Sequence, residues 1–137
     1  MERQRYKFSR EQRLRKSIDF QHVYDHGARA GDGHLLVFVS ANGTNTTRLG
    51  VSVSRKHGGA VIRNRKRRRL KEAYRLLQNE LPAGLDVVIV PRQRLDSRQS
   101  DYSKSLVRLL RKLVPQLAGQ SGESAHSPDA AVNDGDR

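Results

Sequence analysis

The residues best suited to binding chemistry form a basic run from Arg63 to Lys71, RNRKRRRLK, in which seven of nine side chains are cationic. Arginine guanidinium groups offer a planar fork of N–H donors that matches the oxygens of a phosphate group. Cations four residues apart on a helix repel one another by roughly a few tenths of a kcal/mol per pair, so an external anion would relieve them. The run therefore predicts a surface that binds a polyanion.

Helical spacing in the segment 60–77 separates the basic run from an apolar stripe. At 100° per residue the apolar side carries Ile62, Leu70, Ala73, Leu77 and Leu81. The opposite face carries Arg63, Asn64, Arg67, Arg68, Lys71 and Arg75. Lys66 and Arg69 point toward the apolar stripe, so either their stems lie along its edge or the first half of the helix overhangs the core. A merely solvated helix face is the alternative, but such faces usually mix charges, and the first carboxylate after Ala60 is Glu72.

Composition points the same way as the basic run. The chain has 137 residues, 27 Lys and Arg against 14 Asp and Glu, a net charge of +13 and a pI near 11.0. This length suits one domain with a modest core, and this charge favours nucleic acid as the partner, with an anionic membrane surface as second choice. Without cysteine the chain has neither disulfides nor a thiolate zinc site, and its five His are scattered.

Charge and apolar runs divide the chain into three parts. Residues 1–16 are mostly polar and basic and predict a flexible arm; residues 17–117 predict a single RNA-binding α/β domain. Residues 118–137, with four carboxylates and one arginine, predict a disordered acidic tail. No apolar run is long enough to span a membrane and the N-terminus lacks a signal-peptide core, so we expect a soluble, cytoplasmic protein.

The first half of the predicted domain combines a short helix with two strands. Ser17 can cap a helix that carries Phe20 and Tyr24 and stops at Gly27. The apolar run 34–40, the Asn-Gly turn chemistry of 41–47 and the alternating stretch 49–54 predict an antiparallel hairpin. One face of the second strand bears only Gly50, Ser52 and Ser54. Beside aromatic rings, such a bare face predicts an open trough for a flexible single strand.

The second half predicts a strand–helix–strand unit and a last helix. Residues 85–90, LDVVIV, form a buried strand closed by Pro91, and the intervening basic helix requires it to run parallel to a neighbour. Ser100 or Asp101 caps a final helix that Pro115 ends. No catalytic constellation is evident: the carboxylates do not pair at metal-binding spacing, and His57 in its loop is more simply an exposed or phosphate-contacting residue. Any enzymatic chemistry would come from a partner.

Three segments together resemble a known family. They are RLRKSIDFQHVYDHG at 13–27, LGVSVSRKHGGAVIRNRKRRRLKEAYR at 49–75 and LDVVIVPR at 85–92. In order and spacing they resemble the protein subunit of bacterial ribonuclease P, the ribonucleoprotein that removes 5′ leaders from precursor tRNA. Arg63-Asn64-Arg65 followed by Arg67-Arg68 resembles the family signature, whereas Lys66 and Arg69 stand where many relatives carry an aliphatic residue.

The resemblance implies a fold and a set of binding residues. The fold is α/β in the two-layer α+β sense, a mixed four-stranded sheet packed on helices with a left-handed β-α-β crossover. The implied contacts to the catalytic RNA are Arg63, Asn64, Arg65, Arg67, Arg68 and Lys71. The implied leader-binding residues are Phe20, Tyr24, Phe38, Ser52 and Lys56.

The resemblance also implies the mechanism. The RNA is expected to hydrolyse the substrate with Mg²⁺, and the protein to hold no catalytic residue, metal or cofactor. Its expected partners are ribonuclease P RNA and precursor tRNA, with no membrane and no protein partner needed. A ribosomal or ribosome-associated structural RNA-binding protein is the alternative, which explains the charge but not an aromatic trough. A DNA-binding protein is a third possibility, disfavoured because no helix-turn-helix is recognisable.

Overall fold

A mixed four-stranded sheet with helices on both faces organises this computed structural model, which describes residues 10–119. Its helices and strands are, in chain order, α1 (Ser17–His26), β1 (Ala28–Gly31), β2 (Leu35–Ala41), β3 (Arg48–Val51), α2 (Ala60–Leu77), β4 (Leu85–Pro91) and α3 (Gln99–Gly119). Short 3₁₀ turns lie at Arg10–Gln12, Arg55–His57 and Gln78–Glu80. The mixed sheet and the α+β class are confirmed. No helix of this part of the chain is both long and apolar enough to cross a bilayer.

The sheet order β1-β2-β4-β3 corrects the predicted hairpin. Strand β2 pairs antiparallel with β1 and β4, and β3 pairs in parallel with β4 and not with β2. The hairpin was wrong because the Asn-Gly signal is local, whereas β4 is buried on both faces and takes a central place between β2 and β3. Asn42 instead closes the loop against β4, with its backbone N–H bonded to the Gly84 oxygen at 2.8 Å and its side chain to Asp86.

Alternating side chains of the central strands feed two apolar clusters. Toward α2 and α3 lies the main core, which includes Val37, Val39, Val87, Ile89, Leu70, Tyr102 and Leu106. Toward α1 lies a smaller cluster of Leu14, Val23, Phe38, Val88 and Val90. Because α2 connects β3 to the parallel β4, the strand–helix–strand prediction is confirmed. The hand of this crossover stays a prediction.

The N-terminal residues that the structure describes do not all belong to a free arm. Arg13 forms a bridge with Leu49 beside β3, and the Leu14 N–H donates to the Leu49 oxygen at 2.8 Å. Leu14 is buried because its isobutyl group completes the cluster beneath α1. Residues 1–9 and 120–137 lie outside the described range, so the rest of the arm and most of the predicted tail stay predictions.

Three helix ends differ from expectation. Helix α3 begins at Gln99, so Ser100 and Asp101, the predicted caps, lie inside its first turn. Lys16 occupies the N-cap of α1 without a side-chain cap, so Ser17 is its first helical residue, while Gly27 ends the helix as predicted. Pro115 lies inside α3, which continues to Gly119. Proline removes one backbone hydrogen bond of the helix, but Leu117 in the following turn still packs against the core and keeps the end of the helix in place.

Candidate nucleic-acid interface

Helix α2 buries its apolar stripe and presents its cations outward. Leu70, Ala73 and Leu77 are buried in the main core. The opposite surface, called here the basic face, consists of Arg63, Asn64, Arg65, Arg67, Arg68 and Lys71, all exposed or half-buried. None of its five cations forms an ion pair within residues 10–119, so the repulsion predicted from the sequence is not relieved there.

A cleft lies where the basic face meets the start of α3. It has a volume of about 630 Å³, and its lining includes Arg65, Arg68, Lys71 and Arg75 together with Gln99. The Gln99 amide donates to the Arg69 oxygen at 2.9 Å and so joins the two helices at the cleft. Glu72 pairs with Arg75 at 2.8 Å, and this hydrogen bond lowers the pKa of the Glu72 carboxyl. The cleft thus has a strong surplus of positive charge.

A second groove of about 460 Å³, the trough, lies between α1 and β3. Its lining includes the half-buried rings of Phe20 and Tyr24 on one side and Ser52 on the other. The Phe20 ring lies over Gly50, where an added Cβ would stand 2.6 Å from Cζ. Gly50 is therefore required by close approach, and the bare strand face predicted from the sequence does adjoin aromatic rings.

The predicted leader-binding residues do not all reach the trough. Phe20, Tyr24 and Ser52 line it, but Phe38 is only 4% exposed and lies beneath Tyr24, with ring centroids 4.9 Å apart. Phe38 therefore supports the trough instead of offering a face for a base, because the small cluster beneath α1 needs its bulk. Lys56 is exposed on the 3₁₀ turn that follows β3, beyond the trough lining.

Sequence reasoning missed three polar residues of the trough: Arg15, Ser17 and Gln21. Ser17, Gln21 and Tyr24 follow helical i, i+4, i+7 spacing, so that periodicity could have revealed the first two. Arg15 precedes α1, in the segment assigned to the flexible arm, and no local signal marks it.

Arg67 joins the two surfaces. It belongs to the basic face of α2, yet it also lines the trough, and its guanidinium donates to Asn64 Oδ1 at 2.8 Å. Arg63 is held at the start of α2 by donating to the Gly58 oxygen at 3.1 Å. A nucleic-acid strand lying in the trough would therefore meet the cations of α2 without a break.

Lys66 and Arg69, the two cations predicted to face the apolar stripe, are buried and half-buried respectively. Lys66 is only 4% exposed, and its ammonium contacts His57 and the Arg94 oxygen. Burial lowers the pKa of the Lys66 ammonium. Arg69 is half-buried and donates to the Ser97 oxygen at 3.4 Å. Within residues 10–119, no three His, Asp or Glu side chains gather as potential metal ligands.

Comparison with known proteins gives this surface its context. The Ribonuclease P family model matches residues 8–114, which include both the basic face and the trough. The chain belongs to the ribonuclease P protein family. The Ribonuclease P protein component of Desulfovibrio desulfuricans is 38% identical over 122 residues, covering 85% of this chain and 94% of that protein. That of Clostridium botulinum strain Langeland is 40% identical over 105 residues, covering 75% and 95%.

Solved structures of the ribonuclease P family have the same fold. The protein from Thermotoga maritima superposes with a TM-score of 0.66 at 30% identity, covering 73% of this chain and 96% of that one. The Staphylococcus aureus protein gives a TM-score of 0.68 at 30% identity, covering 74% and 94%. This agreement confirms the family resemblance first seen in the sequence.

Proposed function

We propose that this chain is the protein subunit of a ribonuclease P ribonucleoprotein. It binds the catalytic RNA through the basic face of α2 and the 5′ leader of precursor tRNA through the trough. One observation carries the proposal: a basic helix face without ion pairs inside residues 10–119 and an aromatic, glycine-floored trough lie side by side and share Arg67. A structural RNA-binding protein needs the first surface but has no use for the second.

The trough suits a single strand of variable sequence. Phe20 and Tyr24 can stack on bases, and stacking contributes about 1–3 kcal/mol per base without requiring a particular base. Ser52 and Arg67 can hold the backbone of the strand by hydrogen bonds to phosphate oxygens. A subunit that acts on many precursor tRNAs needs this tolerance, because their leaders differ.

In the proposed complex the chemistry belongs to the RNA. The RNA would hold Mg²⁺, which would supply activation of the attacking water and stabilisation of the leaving oxygen. The protein lengthens the grip on the substrate and lowers the repulsion between RNA phosphates, so it holds no catalytic residue. Its binding should weaken with salt by about 0.7–0.9 log units per log unit of salt for each phosphate neutralised.

Reconstitution tests the role of the basic face. The protein is added to ribonuclease P RNA at low Mg²⁺, and cleavage of the 5′ leader from a precursor tRNA is measured. We expect stimulation that is lost in the Arg65→Ala, Arg68→Ala variant. The matched control is Lys104→Ala, Arg111→Ala, which removes the same charge from the exposed side of α3 and should retain stimulation.

A negative result would have a clear meaning. If the protein does not stimulate cleavage but binds ribosomal RNA tightly, the ribosomal alternative replaces this proposal. If the α3 control loses as much stimulation as the α2 variant, net charge and not the basic face is responsible.

Leader length tests the trough separately. Precursors with progressively shorter leaders should bind the reconstituted complex progressively less well, and the Phe20→Ala, Tyr24→Ala variant should flatten that dependence. If the variant keeps the full dependence on leader length while remaining folded, the trough is not the leader site.

A further inference from the structure

A buried cation of α2 lies against the 3₁₀ turn Arg55–His57. Lys66 is 4% exposed, and its ammonium contacts His57 Nδ1 at 2.8 Å and donates to the Arg94 oxygen at 2.9 Å. No carboxylate within residues 10–119 pairs with Lys66. Buried ammonium groups are rarely left without an anionic partner, because their desolvation is costly. The Lys66 ammonium is therefore unusual, because its partners are an imidazole and a backbone oxygen.

The contact with His57 constrains the imidazole. A charged Lys66 has three donors and no acceptor, so in that state Nδ1 of His57 is the acceptor of this contact. His57 is itself only 6% exposed. A protonated Lys66 thus holds the imidazole in one orientation and one tautomer.

The ammonium joins three separate segments. His57 ends the 3₁₀ turn Arg55–His57, Lys66 is in α2, and Arg94 lies in the loop after β4. The turn follows directly from the strand segment that supplies Ser52 to the trough. Within the turn, the His57 N–H donates to the Ser54 oxygen and the Gly58 N–H to the Arg55 oxygen, both at 3.1 Å.

This turn carries Lys56, which points away from the buried pair into solvent. Lys56 is exposed, whereas its neighbour His57 is buried against Lys66. The orientation of the turn therefore determines where the Lys56 ammonium stands relative to the trough. Two hydrogen bonds connect this segment to α2: Arg63 donates to the Gly58 oxygen beside the turn, and Lys66 contacts His57 within it. The second contact couples the orientation of the turn, and with it the position of Lys56, to α2.

We propose that Lys66 is a positioning residue for the leader, which through His57 fixes the 55–57 turn and so places Lys56 at the exit of the trough. This inference rests on the proposed function, because it assumes that the leader lies in the trough. Lys66 itself touches neither RNA nor substrate. A methionine would fill a similar volume without desolvating a charge, but it would leave the turn and the loop without their shared donor.

The test compares binding of leader-bearing and leaderless tRNA by the complex reconstituted with ribonuclease P RNA. The ratio of the two affinities, the leader ratio, cancels effects on assembly with the RNA. Lys66→Met should lower the leader ratio about two- to tenfold, the range expected when one side chain at a binding surface is no longer held in place. Thermal unfolding of the variant monitors folding independently.

Arg69→Met is the matched control. It removes the same charge from the same helix and a donor to the same loop, at Ser97, but it does not touch the 55–57 turn. We expect Arg69→Met to leave the leader ratio at the parent value. An equal fall in both variants would overturn the positioning role, because loss of charge from α2 would then explain it.

The same contact can be tested from its other side. His57→Gln keeps an acceptor for the Lys66 ammonium and should retain most of the leader ratio, whereas His57→Leu removes the acceptor and should lower it. These variants serve also if Lys66→Met does not fold. Equal leader ratios for the folded Gln and Leu variants would overturn the proposal.

Coupling to Lys56 separates positioning from general packing. Lys56→Ala should lower the leader ratio, and adding Lys66→Met to it should lower the ratio little further, because the group being positioned is already gone. Full additivity of the two changes would overturn the proposal. The Phe20→Ala, Tyr24→Ala variant distinguishes failure of the positioning role from failure of the trough assignment. If this variant lowers the leader ratio and Lys66→Met does not, only the positioning role of Lys66 is overturned. If neither variant lowers the ratio, the assignment of the trough as the leader site is overturned as well.

Discussion

The basic face of α2 and the trough between α1 and β3 depend on different physical interactions. The basic face gathers cations that no ion pair within residues 10–119 neutralises, and its side chains are mostly solvent-facing. The trough has fewer charges, and its form depends on Phe20 lying over Gly50. Charge acts at a distance and is screened by salt, whereas stacking requires contact and is not.

This difference predicts two kinds of sensitivity. A single substitution on the basic face should cost modest affinity, because neighbouring cations remain, and its effect should fade at high salt. A single added methyl group in the trough should matter more, because it changes the position of a ring.

The largest effect concerns the framework beneath the trough. Arg48 on β3 donates to both carboxylate oxygens of the buried Asp86 on β4, at 2.8 and 2.7 Å, and lies 3.8 Å from Asp19 on α1. Arg48→Met leaves Asp86 without its cation, which should reduce the free energy of unfolding by about 3 kcal/mol. Urea denaturation measures this loss.

The control for Arg48→Met is Arg29→Met, which removes an exposed cation from the edge strand β1. Its effect on unfolding should remain within about 0.5 kcal/mol. A loss below about 1 kcal/mol for Arg48→Met would mean that the trough does not depend on this buried pair.

A second stability effect lies at the opposite edge of the sheet. Burial alone would raise the pKa of Asp32, but hydrogen bonds to its carboxylate, which include those from the Leu35 and His34 amides and from Arg108, outweigh burial and lower the pKa to about 2. A lowered pKa stabilises the fold above the unfolded-state value of about 4, and this contribution is lost as pH falls from 4 to 2.

Asp32→Asn should therefore cost about 2 kcal/mol at neutral pH and remove the corresponding fall in stability between pH 4 and 2. Acid unfolding followed by circular dichroism measures it. Both RNA interactions should persist at neutral pH, because Asp32 lines neither the cleft nor the trough. The variant thus serves as a destabilised control, and loss of leader binding in it would show that the trough responds to stability in general.

The next effect tests the shape of the trough directly. Gly50→Ala would place a Cβ 2.6 Å from the Phe20 ring and 3.1 Å from Leu14 Cβ, so the ring must move. We expect affinity for leader-bearing tRNA to fall about tenfold, comparable to the loss of one stacked base. Filter binding at two salt concentrations should give the same loss at both. A loss that disappears at high salt would indicate that Gly50 acts through charge.

How far the sequence predicts this molecule depends on whether a feature is local. The faces of α2 follow from its own 3.6-residue periodicity, and the trough follows from the bare residues of β3 and of the segment after it. The hairpin failed because insertion of β4 between β2 and β3 depends on the whole sheet. The burial of Phe38 beneath Tyr24 is likewise a contact between distant segments.

Lys66 is the clearest example of a feature that the sequence alone does not predict. A helical wheel turns it toward the apolar stripe, but whether its stem follows the edge or the ammonium is buried depends on acceptors from outside α2. Those acceptors, His57 and the Arg94 oxygen, come from a turn nine residues before it and a loop 28 residues after it. No periodicity links the three, so the sequence left the two alternatives open.

The smallest expected effect concerns whether positive charge limits the affinity of the basic face for RNA. Glu72 lies in the cleft and pairs with Arg75 at 2.8 Å, with both side chains well exposed. Glu72→Gln should release Arg75 to contact phosphate and increase affinity for ribonuclease P RNA about threefold at low salt, the scale of one exposed ion pair. The slope of log affinity against log salt should steepen by about 0.7–0.9, because one more phosphate is neutralised. The leader ratio should not change. If instead affinity falls, Arg75 needs Glu72 to hold its guanidinium in place, and the basic face is then preorganised in the same sense as the trough.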